Sequence, residues 1–159
     1  MNEFSRFDES GRPRMVDVGG KNITRRRAAA ECILELPDKI YEALLEGSVS
    51  SKGDPFRTAE LGGIMAAKKT PDIIPLCHNV RLDAVSVRCG FSGENRAVRI
   101  ECEVSASGVT GVEMEALVGA TTAALVFYDM CKALDKGMMI KEARLVEKSG
   151  GCGGHWTNG

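Results

Sequence analysis

The stretch TGVEMEALVGATTAALVFYDMCKALDK, residues 110–136, carries the strongest structural signal in the sequence. Thr110 is a suitable N-cap, with Glu113 three residues later as in a capping box, and Gly137 follows the last turn. Larger apolar residues recur with a nearly helical period at Met114, Leu117, Val118, Leu125 and Tyr128. A second, small-residue set would let another backbone approach closely: Ala116, Gly119, Ala120, Ala123 and Ala124. The sequence therefore predicts one long helix with a smooth face.

Charged residues stand at both ends of this predicted helix. Glu113 and Glu115 fall in its first turn, where they can complete the capping box or complement the helix dipole. Asp129 is mildly unfavourable near a helix C-terminus, and an exposed pair with Lys132 returns only about 0.2–0.5 kcal/mol. The pattern alone leaves both a structural and a chemical interpretation of Asp129 and Lys132 open.

The spacing of these charges limits how they can act together. Glu113 and Asp129 are sixteen positions apart, which on one helix corresponds to about 24 Å. A small substrate cannot touch both of them on one chain. We therefore expect that either one end alone is functional, or that two subunits share a pocket at a dimer interface.

Length and composition indicate one domain with an aliphatic core. The chain has 159 residues, of which 5% are aromatic, and a net charge of −1. The length suffices for a substantial core, and the charge argues against a general nucleic-acid surface. There is no apolar run of the roughly 18 residues needed to span a membrane and no secretory leader, so we expect no membrane partner and a cytoplasmic location. The expected division is a flexible arm (1–14), one catalytic domain (15–156) and a tail (157–159).

The six cysteines form no C-x-x-C pair, which favours reduced thiols over disulfides. They are Cys32, Cys77, Cys89, Cys102, Cys131 and Cys152. A zinc site made from Cys152 and His155 together with Cys77 and His78 is the weaker alternative. Neighbouring side chains such as Cys77 and His78 do not readily chelate one ion, so no metal site is predicted.

The remaining pattern predicts an α+β fold, with helices on one face of an antiparallel sheet, most simply a ferredoxin-like arrangement. Strands are expected over residues 24–36, 80–91, 96–106 and 139–148, the middle two joined as a hairpin. Helices are expected to start near Pro37 and at Asp54-Pro55. Strand alternation would put Arg26 on the face opposite Arg25 and Arg27. The glycine-rich tail, residues 149–156, is only a weak phosphate motif because no helix follows it.

The candidate functional residues combine cations with acid–base groups. They are Lys52, Lys68, Lys69, His78, Glu113, Glu115, Asp129, Lys132 and Lys148. Such a set suits an anionic substrate on which protons are moved. His78 lies in a short turn, where a pocket rim and a solvated loop are both plausible. An enzyme and a non-catalytic nucleotide-binding oligomer both fit this pattern, and only the enzyme requires Asp129.

Three ordered motifs resemble a known family. They are PLCH (75–78), TGVEMEAL (110–117) and YDMCKA (128–133), supported by MVDV (15–18), KGD (52–54), AAKKT (66–70) and KSGG (148–151). Together they resemble the cyclic pyranopterin monophosphate synthase family, also called the molybdenum-cofactor biosynthesis protein C family. The resemblance covers roughly residues 15–156. Two departures are Asn79, where many members have proline, and the tail around Cys152 and His155, to which no role is assigned.

The resemblance implies a lyase that converts (8S)-3',8-cyclo-7,8-dihydroguanosine 5'-triphosphate to cyclic pyranopterin monophosphate and diphosphate. It also implies a ferredoxin-like homohexamer, built as a trimer of dimers, with sites at the dimer interface. Asp129 and Lys132 would be the acid–base pair, with Lys52, His78 and Glu113 as further catalytic residues. The substrate-binding set implied is Leu76, Cys77, His78, Met114, Glu115, Lys68 and Lys148. No organic cofactor is expected, and a divalent cation can accompany the triphosphate.

Overall fold

The structure, a computed structural model, describes residues 6–47, 53–93 and 96–158. Five strands and four helices follow one another in the order β1 (Thr24–Glu35), α1 (Asp38–Leu45), α2 (Pro55–Ala67), α3 (Thr70–Ile73), β2 (Leu82–Phe91), β3 (Ala97–Gly108), α4 (Glu113–Cys131), β4 (Met139–Ser149) and β5 (His155–Thr157). The predicted strands and the two predicted early helices therefore form, with boundaries shifted by a few residues. The strand β5 was not predicted, since the glycine-rich tail was interpreted as a loop.

The strands form one antiparallel sheet in the order β2-β3-β1-β4-β5. The first four strands in this order have the arrangement of a ferredoxin-like sheet, and β5 extends it at the β4 edge. The prediction of an α+β, ferredoxin-like antiparallel sheet with helices on one face is confirmed. The β2–β3 hairpin is also confirmed, although residues 94–95 of its turn lie outside the described residues.

Strand β1 illustrates how sequence alternation sorts the two faces of the sheet. Ala28, Ala30, Cys32 and Leu34 are almost fully buried on the helix-covered face. Glu31 points to the opposite face, where its carboxylate is covered by ion pairs with the arginines Arg99 and Arg144. The helix-covered face is therefore the apolar core, whereas the other face is held by ion pairs.

The basic triplet Arg25-Arg26-Arg27 also alternates between the two faces of the sheet, as predicted. Arg27 lies on the charged face and pairs with Glu103 at 2.8 Å. Arg26 lies on the helix side and donates hydrogen bonds to the carbonyl oxygens of Gly108 and Val109, at 3.3 and 3.2 Å. Arg26 is thus directed towards the start of α4, near the predicted functional residues.

Helix α4 is shorter at both ends than residues 110–136. Its N-cap position is Val112, and no side chain caps it, so the predicted capping box of Thr110 and Glu113 is wrong. The reason is that the Glu113 carboxylate instead pairs with Lys148. After Cys131 the chain turns, and the Asp135 carboxylate accepts a hydrogen bond from the Gly137 amide at 2.7 Å. This local bond competes with helix continuation, which explains the earlier end.

The buried face of α4 consists mainly of small residues together with Phe127, whereas the stripe of larger apolar residues is only partly buried. Ala116, Ala120, Ala123 and Ala124 are fully buried, whereas Leu125 is 54% exposed. At Gly119 a Cβ atom would lie 2.5 Å from the Cys102 sulfur, so only glycine permits this approach of α4 to the sheet. The predicted smooth face is therefore confirmed, and the absence of bulk allows α2 and the sheet to pack closely against α4.

The remaining core is largely aliphatic, as the low aromatic content indicated. Its aromatic part is a chain of edge-to-face contacts that runs through Tyr41, Phe91, Phe56 and Phe127, with ring centroids 5.1–5.2 Å apart. Helix α2 begins at Pro55 because the Asp54 carboxylate accepts the Phe56 amide at 2.8 Å, as predicted. Among the described residues, α4 alone is long and apolar enough to cross a membrane, but 56% of that stretch is buried in the fold.

Candidate active site at the start of helix α4

Two adjoining cavities meet where α4 begins. The first, the histidine pocket, has a volume of about 70 Å³ and is lined by Arg6, Cys77, His78, Val80, Thr110, Gly111, Glu113, Met114 and Glu115. The second, the cationic pocket, has a volume of about 190 Å³ and is lined by Lys21, Arg26, Arg27, Val109, Thr110, Gly111, Glu113, Lys148, Ser149, Gly150, Cys152 and Gly153. Thr110, Gly111 and Glu113 belong to both, so they form the partition between the two cavities.

Glu113 is the residue that links the two pockets. Its carboxylate lies 2.9 Å from the Lys148 ammonium, and both side chains are about one-third exposed. The pair connects the first turn of α4 to the end of β4. A carboxylate shared by both cavities can accept a proton on one side while a cation neutralises its charge on the other.

Glu115 is the buried acid of the histidine pocket. Its exposed fraction is only 4%. Burial raises the pKa of the Glu115 carboxyl, a hydrogen bond from backbone lowers it, and the nearby charge of Glu113 raises it further. A carboxyl group held in this way is suited to hydrogen bonding with N–H donors of a bound ring or to exchanging a proton.

His78 is held in one tautomer by the N-terminal segment. Its Nε2 atom lies 2.7 Å from the Val16 carbonyl oxygen, which can only accept a hydrogen bond. Nε2 therefore carries the proton, and we assign Nδ1 as the position available for a further partner when the ring is neutral. Burial raises the pKa of the adjacent Cys77 thiol, so Cys77 is a poor nucleophile and acts as a wall of the pocket.

The cationic pocket brings together three cations that were not among the predicted functional residues. These are Lys21, Arg26 and Arg27, which join Lys148 around the cavity. The alternation of the basic triplet was the signal for Arg26, because it separated this residue from its neighbours. Gly151 has φ +69°, and a Cβ there would overlap the Arg26 guanidinium. The glycine-rich tail is thus shaped by contact with Arg26, which sequence spacing does not reveal.

The predicted acid–base pair lies at the other end of α4. Lys132 Nζ is 2.6 Å from the Asp129 carboxylate, and the two side chains are 49% and 54% exposed. The hydrogen bond and the charge of Asp129 raise the pKa of Lys132, which keeps it an ammonium. Neither residue lines the histidine pocket or the cationic pocket. One chain therefore does not bring Asp129 and Lys132 to His78.

The other predicted site residues divide into four groups. Cys77, His78, Glu113, Met114, Glu115 and Lys148 line the two pockets. Leu76 contributes its carbonyl oxygen, which accepts a hydrogen bond from Arg6. Lys68 lines a separate groove next to Val80, which also borders the histidine pocket. Lys52 lies outside the described residues.

Across residues 6–47, 53–93 and 96–158, no three His, Cys, Asp or Glu side chains converge in a manner suited to a metal ion. Cys152 borders the cationic pocket. The other tail residue of the zinc alternative, His155, pairs with Glu147 at 3.0 Å. The donor chemistry at the pockets is therefore that of ammonium, guanidinium, carboxyl and imidazole groups.

These features define a class of protein: a ferredoxin-like α+β chain whose pockets pair cations for an anion with groups able to exchange protons. Comparison with known sequences gives the family. A profile of the MoaC family matches residues 15–151. A Lysinibacillus sphaericus protein named cyclic pyranopterin monophosphate synthase is 48% identical over 160 aligned residues, covering 99% of each chain. A Pelotomaculum thermopropionicum protein of the same name is 49% identical, covering 97% of this chain and 90% of its own. The chain belongs to the MoaC family.

Proposed function

We propose that the protein is a cyclic pyranopterin monophosphate synthase of molybdenum-cofactor biosynthesis. It converts (8S)-3',8-cyclo-7,8-dihydroguanosine 5'-triphosphate to cyclic pyranopterin monophosphate with release of diphosphate. The observation that carries this proposal is the near-complete alignment with two relatives of that name, at 48% and 49% identity. The pocket chemistry supports it, because the reaction requires both anion binding and proton transfer.

The two pockets suit the two parts of this substrate. The histidine pocket contains Glu113 and Glu115, whose carboxyl groups match the N–H donors of a guanine-derived ring. The cationic pocket contains Lys21, Arg26 and Lys148, which match a triphosphate. We therefore assign the ring to the first pocket and the phosphates to the second, with Glu113 between them.

Asp129 and Lys132 are proposed as the acid–base pair. The raised pKa of Lys132 keeps its side chain an ammonium, which is suited to stabilise negative charge on the reacting ring. The Asp129 carboxylate next to it is suited to accept a proton when the purine-derived ring opens and the pyran forms. Lys148, together with Lys52, would stabilise the charge that develops on the departing diphosphate.

This assignment requires a second copy of the chain. The two ends of α4 are about 24 Å apart, so a partner's helix must bring the acid–base pair to the ring. In one chain Leu125 is exposed, and residues 125, 129 and 132 lie on one stripe of α4. An exposed apolar side chain beside the acid–base pair supports the proposal that a partner chain covers this stripe. The exposed side chains of Leu61 and Met65 on the neighbouring helix α2 extend this apolar surface. We propose a homo-oligomer, a hexamer built as a trimer of dimers, with sites shared within each dimer.

We further propose that catalysis uses side chains without an organic cofactor, and that a divalent cation, where present, accompanies the triphosphate as part of the substrate. The polar pocket residues support a small-molecule substrate. A cytoplasmic location and the absence of nucleic-acid or membrane partners complete the proposal; the net charge of −1 is consistent with it.

The direct test is to incubate the purified protein with the cyclic dihydroguanosine triphosphate. We expect stoichiometric release of diphosphate and of a product that becomes a fluorescent pterin on oxidation. A chain that binds this substrate without releasing diphosphate would instead be a nucleotide-binding module. Asp72→Asn is a suitable control, since Asp72 and Lys69 form another exposed i,i+3 pair, at 3.6 Å, outside both pockets. It should retain full activity.

A further inference from the structure

The N-terminal segment folds back as a small hairpin at the histidine pocket. Within residues 6–14, the Arg14 amide donates to the Arg6 carbonyl at 2.8 Å, and Phe7 bridges to Pro13. The Asp8 carboxylate accepts the amides of Ser10 and Arg12 at 2.8 and 2.9 Å, which closes the turn. Arg6 therefore has a defined position at one end of a closed hairpin.

Arg6 makes the hairpin part of the site. Its guanidinium donates a hydrogen bond to the Leu76 carbonyl oxygen, seventy positions along the chain, and the side chain lines the histidine pocket. The contact between His78 and the Val16 carbonyl holds the segment on the other side. The loop that carries Leu76 and His78 is thus held from two points of the N-terminal segment.

Most N–H groups of the Arg6 guanidinium are available for hydrogen bonds to a ligand. An arginine side chain carries five N–H groups, and among the described residues Leu76 accepts the one side-chain hydrogen bond that Arg6 makes. Arg6 is also close enough for its charge to lower the pKa of Cys77, against the larger effect of burial. The Arg6 guanidinium therefore lines the same pocket as the carboxyl groups of Glu113 and Glu115, with N–H groups available for a ligand.

We propose that Arg6 is a specificity residue that binds the ring carbonyl oxygen of the substrate. This inference rests on the proposed function, since the ring in question is the guanine-derived one. Such a ring presents N–H donors beside a carbonyl acceptor, so a carboxyl group and a guanidinium together complement its edge. An adenine-type ring carries an amino donor where the guanine-type ring carries its carbonyl oxygen. The N–H donors of Arg6 would then face another donor and form no hydrogen bond with it.

Three variants test the proposal. Arg6→Gln removes the charge and most of the donors, and Arg6→Lys keeps the charge without the planar fork. Arg14→Gln is the matched control, because Arg14 belongs to the same hairpin and is exposed outside both pockets. We expect Arg6→Gln to raise KM for the cyclic triphosphate about 10- to 100-fold. The KM of Arg6→Lys should lie between those of Arg6→Gln and the unaltered protein, and the KM of Arg14→Gln should equal that of the unaltered protein.

Competition separates ring recognition from phosphate recognition. The unaltered protein should bind GTP more tightly than ATP, measured by calorimetry, and Arg6→Gln should lose that preference while its affinity for tripolyphosphate stays the same. A parallel loss of tripolyphosphate affinity would overturn the proposal in favour of a phosphate contact. An unchanged preference for GTP, with or without a fall in thermal stability, would reduce Arg6 to a structural tether.

The test of the role of Arg6 can be distinguished from the test of the proposed function. If the unaltered protein releases no diphosphate from the cyclic triphosphate, the proposed function fails, whereas the GTP-to-ATP preference can still be measured. If turnover occurs and Arg6→Gln keeps both its KM and its nucleotide preference, the function stands and the role of Arg6 is rejected.

Discussion

The two ends of helix α4 carry similar charges in opposite surroundings. At the start, Glu113 and Glu115 border cavities that are also lined by a histidine, three arginines and two lysines. At the end, Asp129 and Lys132 form a pair that is about half exposed and contacts neither cavity. The start of the helix therefore contributes acids to two pockets, whereas the ion pair at its end lines neither of these two pockets.

This difference is what the proposed shared site would explain, with the two ends of α4 supplied to one site by different chains. A half-exposed surface ion pair contributes little to stability, so the contact between Asp129 and Lys132 does not by itself explain these two charges. A pocket of about 70 Å³ is also smaller than typical ligand sites of about 300–1,000 Å³. Both deficiencies are removed if a second chain supplies the missing part.

The largest effect is expected from removing the proposed acid–base pair, which tests whether the exposed end of α4 is needed for activity. Asp129→Asn should lower kcat about 100- to 10,000-fold, because it removes the proton acceptor while keeping the shape of the side chain. Thermal stability and substrate binding should change little, since the pair is exposed. The measurement is steady-state release of diphosphate beside a thermal melt, with Asp72→Asn as the control. Full activity in Asp129→Asn would mean that the Asp129–Lys132 pair has no catalytic role.

Mixing two inactive variants tests whether the two ends belong to different chains. A protein with Glu113→Gln and a protein with Asp129→Asn are each expected to be inactive. In a mixed dimer, one of its two shared sites combines the intact Glu113 of one chain with the intact Asp129 of the other. Random mixing should therefore restore about a quarter of full activity. Subunits are exchanged by mild denaturation and refolding; continued inactivity, with exchange verified by mass, would place each site within one chain.

Much of the fold could be predicted because local and periodic signals agree. The Asp54-Pro55 start of α2 and the alternation in β1 are local signals, and both appear in the structure. The capping box at Thr110 was wrong because Lys148, distant in sequence, competes for Glu113. The apolar stripe of α4 indicated a helix, but its period alone did not reveal that Leu125 is exposed while small residues and Phe127 fill the core.

The site could be predicted only in part. His78 and the glutamates of α4, which motifs singled out, line one pocket, and their roles stay predictions. Arg6 and Lys21 were not, because they lie in segments without periodicity, and only folding brings them to the pocket. Spacing on α4 did predict that its two charged ends cannot meet one substrate within a chain.

Close packing of α4 gives a stability test that leaves its charged ends unchanged. Gly119→Ala would place a Cβ 2.5 Å from the Cys102 sulfur and 3.3 Å from the Gly63 carbonyl oxygen. Neighbouring atoms must shift, which should lower the free energy of unfolding by about 1–3 kcal/mol. Urea unfolding measures this effect. The control is Thr122→Ala, at a half-buried position of the same helix, which should change stability by less. Equal losses in both variants would contradict the close approach at Gly119.

The smallest expected effect concerns the buried acid at the start of α4. Because burial raises the pKa of Glu115 above its unfolded value, the folded state binds its proton more tightly than the unfolded state does. The associated stability is fully present below the unfolded pKa and is lost as pH rises through the folded pKa. Glu115→Gln should therefore melt at a higher temperature than the unaltered protein near pH 8, with the difference vanishing near pH 4. Glu42→Gln, at an exposed position of α1, should show no such trend. A difference independent of pH would mean that the Glu115 carboxyl is not destabilised by burial, and the contrast with the exposed Asp129 would then be one of position alone.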